Sequence, residues 1–226
     1  MRFSVSKQTS SGNPRRLVSL LALFTGLGGS VLATSPAAPA AACTDLDVVV
    51  ARGTFEPGTL GIIVGDPVYS ALQNNIKGKS LSAYPVAYPA DLGEPNSVQT
   101  GNRDLVNHVR SQAASCPDQR FILVGYSQGA NVVDNSLGIS SDGALVGGAI
   151  VATIPGSIEP KVSSVLLFGN PIRAQGKSVT GTYQSRTDDF CADSDPVCQA
   201  GGSNGLAHLS YGSDANAAAA FSASHL

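Results

Sequence analysis

Charged residues are scarce in this 226-residue sequence, and the basic ones form no cluster. Lysine, arginine, aspartate and glutamate together make up 13% of the chain, and the formal net charge at pH 7 is −2. Proteins that bind nucleic acid concentrate positive charge against the phosphate backbone. The composition therefore argues against nucleic acid as a partner. It also predicts a surface rich in small polar residues, as in many secreted proteins.

Internal repeats and linker-like stretches are missing too, so the composition gives no reason to divide the chain into several domains. Near the start, a pair of arginines precedes an uncharged, mostly apolar segment over residues 17–32, and small residues then end in an Ala-x-Ala pattern before Cys43. This order is typical of a secretion signal. A retained anchor helix is less favoured because the apolar segment is short and contains several glycines. We predict a signal peptide over residues 1–42 and one secreted domain over residues 43–226, with cell-wall association left open.

The patterns of metal sites are absent as well, since there is no Cys-x-x-Cys pair and no pair of neighbouring histidines. Four cysteines in an exported domain instead predict two disulfides. Cys43 and Cys116 each lie just before a predicted strand, and neighbouring parallel strands would bring both to the same edge of a sheet. Cys43–Cys116 is therefore the predicted long bridge, which leaves Cys191–Cys198 to close a short loop.

Strand patterns and helix patterns alternate along the predicted domain. The predicted strands cover residues 46–52, 80–88, 121–124, 165–168 and 182–190. Helices are predicted over residues 102–114, after Ser127, and from Asp66, which is interpreted as an N-cap with Pro67 in the first helical position. Residues 144–154 are apolar and stay unassigned. The alternation predicts an α/β fold with a parallel sheet covered on both faces, whose chemistry lies beyond the carboxyl ends of the strands.

A Gly-x-Ser-x-Gly pattern follows the third predicted strand directly, with Ser127 at its centre. In a nucleophile elbow the turn from strand to helix is so tight that side chains two residues before and after the serine would collide. Gly125 and Gly129 remove that collision. Because the pattern alone is frequent in a chain rich in glycine and serine, its position between a buried strand and a helix carries the prediction that Ser127 is a nucleophile.

A serine nucleophile needs a base to take its proton and an acid to orient that base. His108 lies within a predicted helix and is interpreted as a helix-surface residue, and His225 is one residue from the end, where fraying is expected. His208, in a loop after the last predicted strand, is the candidate base. The order Ser, acid, His leaves as candidate acids Asp134, Asp142, Glu159, Asp188, Asp189, Asp193 and Asp195. Asp193 and Asp195 lie inside the short disulfide loop, and spacing alone does not separate them.

Four motifs together resemble the cutinase family, in order and approximately in spacing. They are Ala51-Arg52-Gly53-Thr54, Gly125-Tyr126-Ser127-Gln128-Gly129, Cys191-x-x-x-Asp195-x-x-Cys198 and His208-Leu209-Ser210-Tyr211. The likeness is nearest to the secreted cutinase-like proteins of mycobacteria and related actinobacteria, and it extends to about Asp214. It implies a three-layer α/β hydrolase with a central, mostly parallel sheet, which cleaves carboxylic esters without a cofactor, a metal or a large lid.

Carried onto this sequence, the resemblance implies that Ser127 is the nucleophile, His208 the general base and Asp195 the acid. Asp193 then becomes a solvated neighbour. For the oxyanion hole it implies the backbone N–H of Gln128 together with Thr54, where fungal members usually carry serine.

The expected activity is that of a secreted, monomeric serine esterase acting on short- to medium-chain acyl esters, with a lipid or cell-envelope surface as a further partner. A phospholipase or acyltransferase acting on envelope lipids is one alternative. A catalytically silent cell-wall protein is another, although every triad position is filled. Acyl-chain preference does not follow from the sequence, because the pocket is built by loops such as residues 91–99.

Overall fold

The computed structural model describes residues 43–226, so the predicted signal peptide lies outside the described residues. The strands are β1 (Leu46–Ala51), β2 (Leu81–Pro85), β3 (Arg120–Tyr126), β4 (Val162–Phe168) and β5 (Thr187–Phe190). They form one sheet in the order β2-β1-β3-β4-β5, and every neighbouring pair is parallel. The carboxyl ends of all five strands therefore lie at one edge of the sheet.

Helices cover both faces of this sheet. They are α1 (Gly65–Asn75), α2 (Asn96–Ser115), α3 (Gln128–Ser136) and α4 (Ala215–Ala223), with several short 3₁₀ turns between them. The apolar residues of α2 and α3 pack on one face of the sheet, and those of α1 and α4 pack on the other. Among residues 43–226, no helix is long and apolar enough to cross a membrane. The sheet between two layers of helices is the predicted three-layer architecture.

Alternation along the central strands supplies both cores. In β3, Phe121 and Leu123 pack towards α2 and α3, whereas Ile122, Val124 and Tyr126 pack towards α1 and α4. Each of these apolar side chains is almost inaccessible to solvent, and burying one contributes about 1.5–3 kcal/mol. Since both faces are covered, β3 reads as a continuous apolar run in the sequence, which is why it could be identified.

The register of the sheet explains the first disulfide. Leu46 at the start of β1 pairs with Arg120 at the start of β3, which brings the residues just before the two strands together. Cys43 and Cys116 are bridged there, with their Cα atoms 5.6 Å apart. The second bridge joins Cys191 and Cys198, so the predicted pairing is confirmed.

The predicted fifth strand was too long. Residues 181–186 form a 3₁₀ turn, and pairing with β4 begins at Thr187. Arg186 is the reason: its guanidinium donates to the carbonyl oxygen of Val162 and pairs with Glu159. These contacts, together with the burial of Tyr183 against the core, hold the segment away from the ladder.

Two helix starts also differ from the prediction. The N-cap interpretation of Asp66 was wrong, because α1 already begins at Gly65 and no side chain caps it. The preceding loop packs so closely that a Cβ atom at Gly65 would overlap the carbonyl oxygen of Leu60. Helix α2 begins at Asn96, six residues before the predicted start. Its first two turns contain too many polar residues for the apolar period to show.

Residues 144–154 form no regular element, although they are apolar. Their backbone is instead bonded by three buried asparagines on α2 and α3. Asn102 accepts from the N–H groups of residues 151 and 152 and donates to the carbonyl of residue 152. Asn131 and Asn135 donate to the carbonyl oxygens of residues 145 and 148. Side chains thus satisfy the backbone groups that a strand would satisfy through a ladder.

Candidate active site

Ser127 lies between β3 and α3, with φ of 54° and ψ of −119°. A positive φ in a non-glycine residue is strained and is held by its surroundings; here the backbone N–H of Ser127 donates to the carbonyl oxygen of Phe168 at 2.9 Å. A Cβ atom at Gly125 would lie 2.7 Å from the carbonyl oxygen of Gly129, and one at Gly129 would overlap the carbonyl oxygen of Ala51. Gly129 is therefore required chiefly because the turn packs against the end of β1.

His208 and Asp195 are hydrogen-bonded to each other at the same edge of the sheet. His208 Nδ1 lies 2.8 Å from Asp195 Oδ2, and the backbone N–H of Val197 donates to Asp195 Oδ1 at 2.8 Å. Asp195 is completely buried, whereas Asp193 is exposed. With Nδ1 engaged by the carboxylate, Nε2 is the nitrogen left for a substrate or a nucleophile.

Ser127 and His208 line one pocket. Within the described residues, the Ser127 hydroxyl makes no hydrogen bond to His208. Catalytic hydrogen bonds in a free enzyme are often long and tighten only when substrate binds. The arrangement therefore has the parts of a Ser-His-Asp triad, with the serine and histidine in one cavity and the aspartate behind the histidine.

The short disulfide loop holds Asp195 by its backbone as well as by its side chain. The N–H of Asp195 donates to the carbonyl oxygen of Ala192 at 3.0 Å, and its carbonyl oxygen accepts from the N–H of Gln199 at 2.9 Å. Ser194, immediately before it, has a φ of 65°. The bridge between Cys191 and Cys198 thus closes a tight turn around the carboxylate.

Three residues that sequence reasoning assigned no role position the histidine and the acid. The hydroxyl of Tyr211 donates to Asp195 Oδ2, and that of Tyr126 donates to the backbone carbonyl of His208 at 2.7 Å. Gly169 makes room for the imidazole, because a Cβ atom there would lie 2.6 Å from His208 Cε1. Both tyrosines are part of the motifs on which the family resemblance rests. Their place in those motifs was the only sequence feature that could have indicated a role at the site.

The two oxyanion candidates follow neighbouring strands, Thr54 after β1 and Gln128 after β3. Thr54 follows β1 and lines the pocket. Gln128 is the first residue of α3, where a backbone N–H has no acceptor within the helix. Its buried side chain donates to the carbonyl oxygen of Asp91 at 2.7 Å and accepts from the hydroxyl of Ser97 at 3.1 Å. The Gln128 side chain thus anchors the loop that the sequence had suggested as a pocket wall.

Glu56 is a buried carboxylate that lines the same pocket as Ser127, and sequence reasoning missed it. Its two carboxylate oxygens accept from the N–H groups of Gly53 and Ile63, each at 2.7 Å. A Cβ atom at Gly61 would lie 2.5 Å from the same carboxylate, so the loop that carries Thr54 wraps closely around it. Burial raises the pKa of Glu56, while the hydrogen bonds from the two N–H groups act against that rise.

The pocket has a volume of about 280 Å³ and a mostly apolar wall. Leu92, Leu145 and Leu209 line it and are each more than half exposed; we call these three residues the apolar rim. Phe55 and Ile62, also exposed, are next in sequence to pocket-lining residues. Exposed leucines on three separate loops surround the opening, so the pocket mouth presents apolar surface to whatever approaches it.

The other two histidines lie away from the pocket, and both interpretations need correction. His108 is largely buried rather than solvated: its Nε2 lies 2.6 Å from Asp47 Oδ2, and its ring stacks on Tyr84. His225 is not frayed, because its ring nitrogens lie 2.9 Å and 3.1 Å from the carbonyl oxygens of Phe221 and Ser185. In residues 43–226, no three His, Cys, Asp or Glu side chains are grouped so as to hold a metal ion.

The model of the cutinase family matches residues 42–226. The chain belongs to the cutinase family. It is 38% identical over 188 residues to a cutinase of Botryotinia fuckeliana, which covers 80% of this chain and 83% of the relative. It is 34% identical over 211 residues to carboxylesterase Culp1 of Mycobacterium tuberculosis, with 88% of this chain and 89% of that protein covered.

A solved structure agrees with the fold. A Trichoderma reesei cutinase in complex with a phosphonate inhibitor superposes with a TM-score of 0.66 at 33% identity, covering 81% of this chain and 77% of the other. The predicted cutinase-like α/β hydrolase fold is thereby confirmed, as is the predicted enzyme class. This cutinase-family protein is a carboxylic ester hydrolase.

Proposed function

We propose that the protein is a secreted serine esterase that hydrolyses short- to medium-chain acyl esters through Ser127, His208 and Asp195. The observation that carries the proposal is the shared pocket: an elbow serine and an aspartate-bound imidazole open onto the same apolar cavity. Export is supported by the pairing of all four cysteines in disulfides.

In the proposed reaction, His208 Nε2 takes the proton of the Ser127 hydroxyl as its oxygen attacks the ester carbonyl. The tetrahedral intermediate collapses when that proton passes to the leaving alkoxide, which departs as the alcohol. Water then attacks the acyl-enzyme, again losing its proton to His208, and the acid is released as Ser127 regains its proton. Asp195 holds the imidazole in the tautomer that presents Nε2.

The negative charge on the carbonyl oxygen is proposed to be stabilised by the Gln128 N–H and by the Thr54 hydroxyl. The Gln128 donor is supported by its place at the N-terminus of α3, where helix dipole and free N–H groups favour an anion. Loss of one such donor typically costs about 2.7–4 kcal/mol of transition-state stabilisation.

The pocket itself supports the proposed substrate class. Its volume of about 280 Å³ is just below the range of about 300–1,000 Å³ for ligand pockets, which favours short and medium acyl chains over long ones. The apolar rim suits a substrate presented at a lipid or envelope surface. Among residues 43–226, no lysine or arginine lines the pocket, so neutral esters are favoured over phospholipids.

Labelling with a fluorophosphonate tests the nucleophile. We expect mass spectrometry to place the adduct on Ser127, and Ser127→Ala to lose both the adduct and at least about 10⁴-fold in turnover. Ser178→Ala, a change at an exposed serine, is the matched control and should keep both. An adduct on another serine, or normal turnover in Ser127→Ala, would exclude the mechanism.

A graded ester series tests the substrate class. With p-nitrophenyl esters from two to sixteen carbons, kcat/KM should peak among the short and medium chains. Vesicles of a neutral phospholipid should be hydrolysed far more slowly than an emulsified short-chain triglyceride. A preference for the phospholipid would favour the phospholipase alternative instead.

A further inference from the structure

The carboxylate of Asp195 has a second side-chain donor besides the histidine. Oδ2 accepts from His208 Nδ1 at 2.8 Å and also from the hydroxyl of Tyr211, while Oδ1 accepts the backbone N–H of Val197. Asp195 and Tyr211 are both completely buried. The phenol and the imidazole therefore share one acceptor oxygen of a completely buried carboxylate.

Tyr211 is itself held firmly in this position. Its hydroxyl accepts from the backbone N–H of Ala192 at 3.1 Å, so it links the disulfide loop to the acid. Its ring packs edge-on against Phe168 and Tyr126. Burial, and then the hydrogen bond to Asp195, raise the pKa of Tyr211 above its ordinary value, so the phenol keeps its proton and stays a donor.

A donor that shares the acceptor oxygen changes what the aspartate does for the histidine. A carboxylate stabilises protonated imidazole in proportion to the negative charge it keeps, and a phenol hydrogen bond withdraws part of that charge. Chains of hydrogen bonds in a buried site affect one another more strongly than they would in water. The hydroxyl of Tyr211 should therefore weaken the hold of Asp195 on the proton of His208.

We propose that Tyr211 is a positioning residue for ester hydrolysis, which fixes the Asp195 carboxylate and limits how strongly that carboxylate retains protonated His208. The proposal rests on the triad proposed above. Its consequence is that the phenol extends activity towards lower pH, because His208 must be neutral to accept the serine proton.

Removal of the hydroxyl alone is the direct test. In Tyr211→Phe we expect kcat to fall by about tenfold with little change in KM, since a misplaced catalytic group costs rate more than binding. The acid limb of the kcat/KM profile should move up by about 0.5 pH unit, a free-energy change smaller than the 1.36 kcal/mol of a full unit. An unmoved acid limb would overturn the proposal, because a purely structural loss lowers the rate at every pH alike.

A control variant and the unchanged neighbouring groups show whether a shift of the acid limb is specific to Tyr211. Tyr183→Phe removes the hydroxyl of a buried tyrosine that packs on the opposite face of the sheet, and its acid limb should match wild type. The other titratable groups around the site, Glu56 and Tyr126, stay in place in both variants. A matching shift in Tyr183→Phe would contradict the assignment to Tyr211.

Site-specific 3-fluorotyrosine at position 211 tests the idea without loss of the hydroxyl, and so serves even where Tyr211→Phe does not fold. Fluorine makes the phenol a stronger hydrogen-bond donor. The acid limb should therefore move down in pH, opposite to its movement in Tyr211→Phe. An upward shift in the fluorinated protein would refute the charge-withdrawal argument.

The Asp195→Asn background separates this inference from the triad on which it rests. If Asp195→Asn keeps normal turnover, the proposed triad is wrong. If Asp195→Asn is inactive while Tyr211→Phe leaves the acid limb in place, only the role of Tyr211 is wrong. If Tyr211 acts through Asp195, adding Tyr211→Phe to Asp195→Asn should cost no more than about twofold, and a full additional tenfold loss would contradict the coupling.

Discussion

Asp193 and Asp195 stand two residues apart in one small loop and meet opposite environments. The Asp195 side chain is completely buried, and it accepts hydrogen bonds from the N–H of Val197, from His208 and from Tyr211. Asp193 is exposed to solvent. A carboxylate in water is screened and free to turn, so it cannot hold an imidazole in one tautomer. Position within the loop, rather than residue type, should decide which of the two matters for catalysis.

We therefore expect Asp195→Asn and Asp193→Asn to differ sharply. An orienting aspartate changed to asparagine can cost on the order of 10⁴-fold in kcat, because the amide favours the wrong tautomer. Asp193→Asn should stay within a few-fold of wild type. Steady-state kinetics on a short-chain ester compare the two, and the opposite ranking would rule out Asp195 as the acid.

At the scale of single residues, the sequence predicted the surroundings of some site residues but not of others. The tight turn at Ser127 was predictable because its glycines and flanking strand are local, and only the family motif favoured Asp195 over Asp193. The role of Glu56 was not visible, because its partners are backbone N–H groups within a folded loop. His108 was misread for a similar reason: its helical position was clear, but its partner Asp47 is 61 residues away along the chain.

Among the structural elements, we expect the two disulfides to contribute differently, the short one to catalysis and the long one to stability. The Cys191–Cys198 bridge encloses Asp195, and Cys198 Sγ lies 3.4 Å from both Asp195 Oδ2 and the Tyr211 hydroxyl. The other bridge joins the amino ends of β1 and β3, at the opposite edge of the sheet. On the loop-entropy model the short loop contributes about 2 kcal/mol and the long one about 4 kcal/mol.

We predict that Cys191→Ala/Cys198→Ala stays folded and loses at least about tenfold in turnover, since a displacement of about 1 Å can cost about a hundredfold. Alanine is preferred to serine because a new hydroxyl at position 198 would bond to Asp195. The matched control, Cys43→Ala/Cys116→Ala, should lose more stability and keep its turnover at a temperature where it is folded. Thermal unfolding and kinetics on both variants decide this, and equal losses of turnover would contradict it.

Elements were predictable where their own side chains determine them. The apolar run of β3 indicates a strand that is covered on both faces. Residues 144–154 are also apolar but form no strand. Their hydrogen bonds come from side chains of α2 and α3, namely Asn102, Asn131 and Asn135, and the sequence of the segment itself does not indicate these bonds. Helix α4 was not predicted, because its run of alanines has no distinct apolar stripe and its burial depends on packing against α1.

For the molecule as a whole, two buried acids set a dependence of stability on pH. Asp134, on α3, is completely buried, and burial followed by the charge of Asp189 raises its pKa well above the ordinary value. Burial raises the pKa of Asp189 to about 6, and Arg173 acts against that rise. Both acids hold a proton more tightly in the folded state than in the unfolded chain. Their contribution to the free energy of unfolding therefore falls as the pH rises from about 4 through the folded pKa values.

Asp134→Asn should remove much of that dependence. We expect the free energy of unfolding of the variant, relative to wild type, to increase from pH 4 to pH 8, because wild type has both Asp134 and Asp189 to ionise, whereas the variant keeps only Asp189. Asp142→Asn, at an exposed position, should show a constant difference from wild type. Urea unfolding at pH 4, 6 and 8 measures both, and a constant difference for Asp134→Asn would show that Asp134 does not titrate in this range.

The Cys43–Cys116 bridge and Ser127 lie at opposite ends of the same two strands. A strand of six residues, such as β1, is about 20 Å long, and the body of the sheet separates the exposed Cys43 from the pocket. A support or fusion partner attached beside Cys43 would therefore hold the enzyme with its apolar rim facing outwards. Oriented in this way on a bead, each molecule could meet a polymer film or an oil droplet with its pocket first, whereas random attachment would bury a share of the pockets against the support.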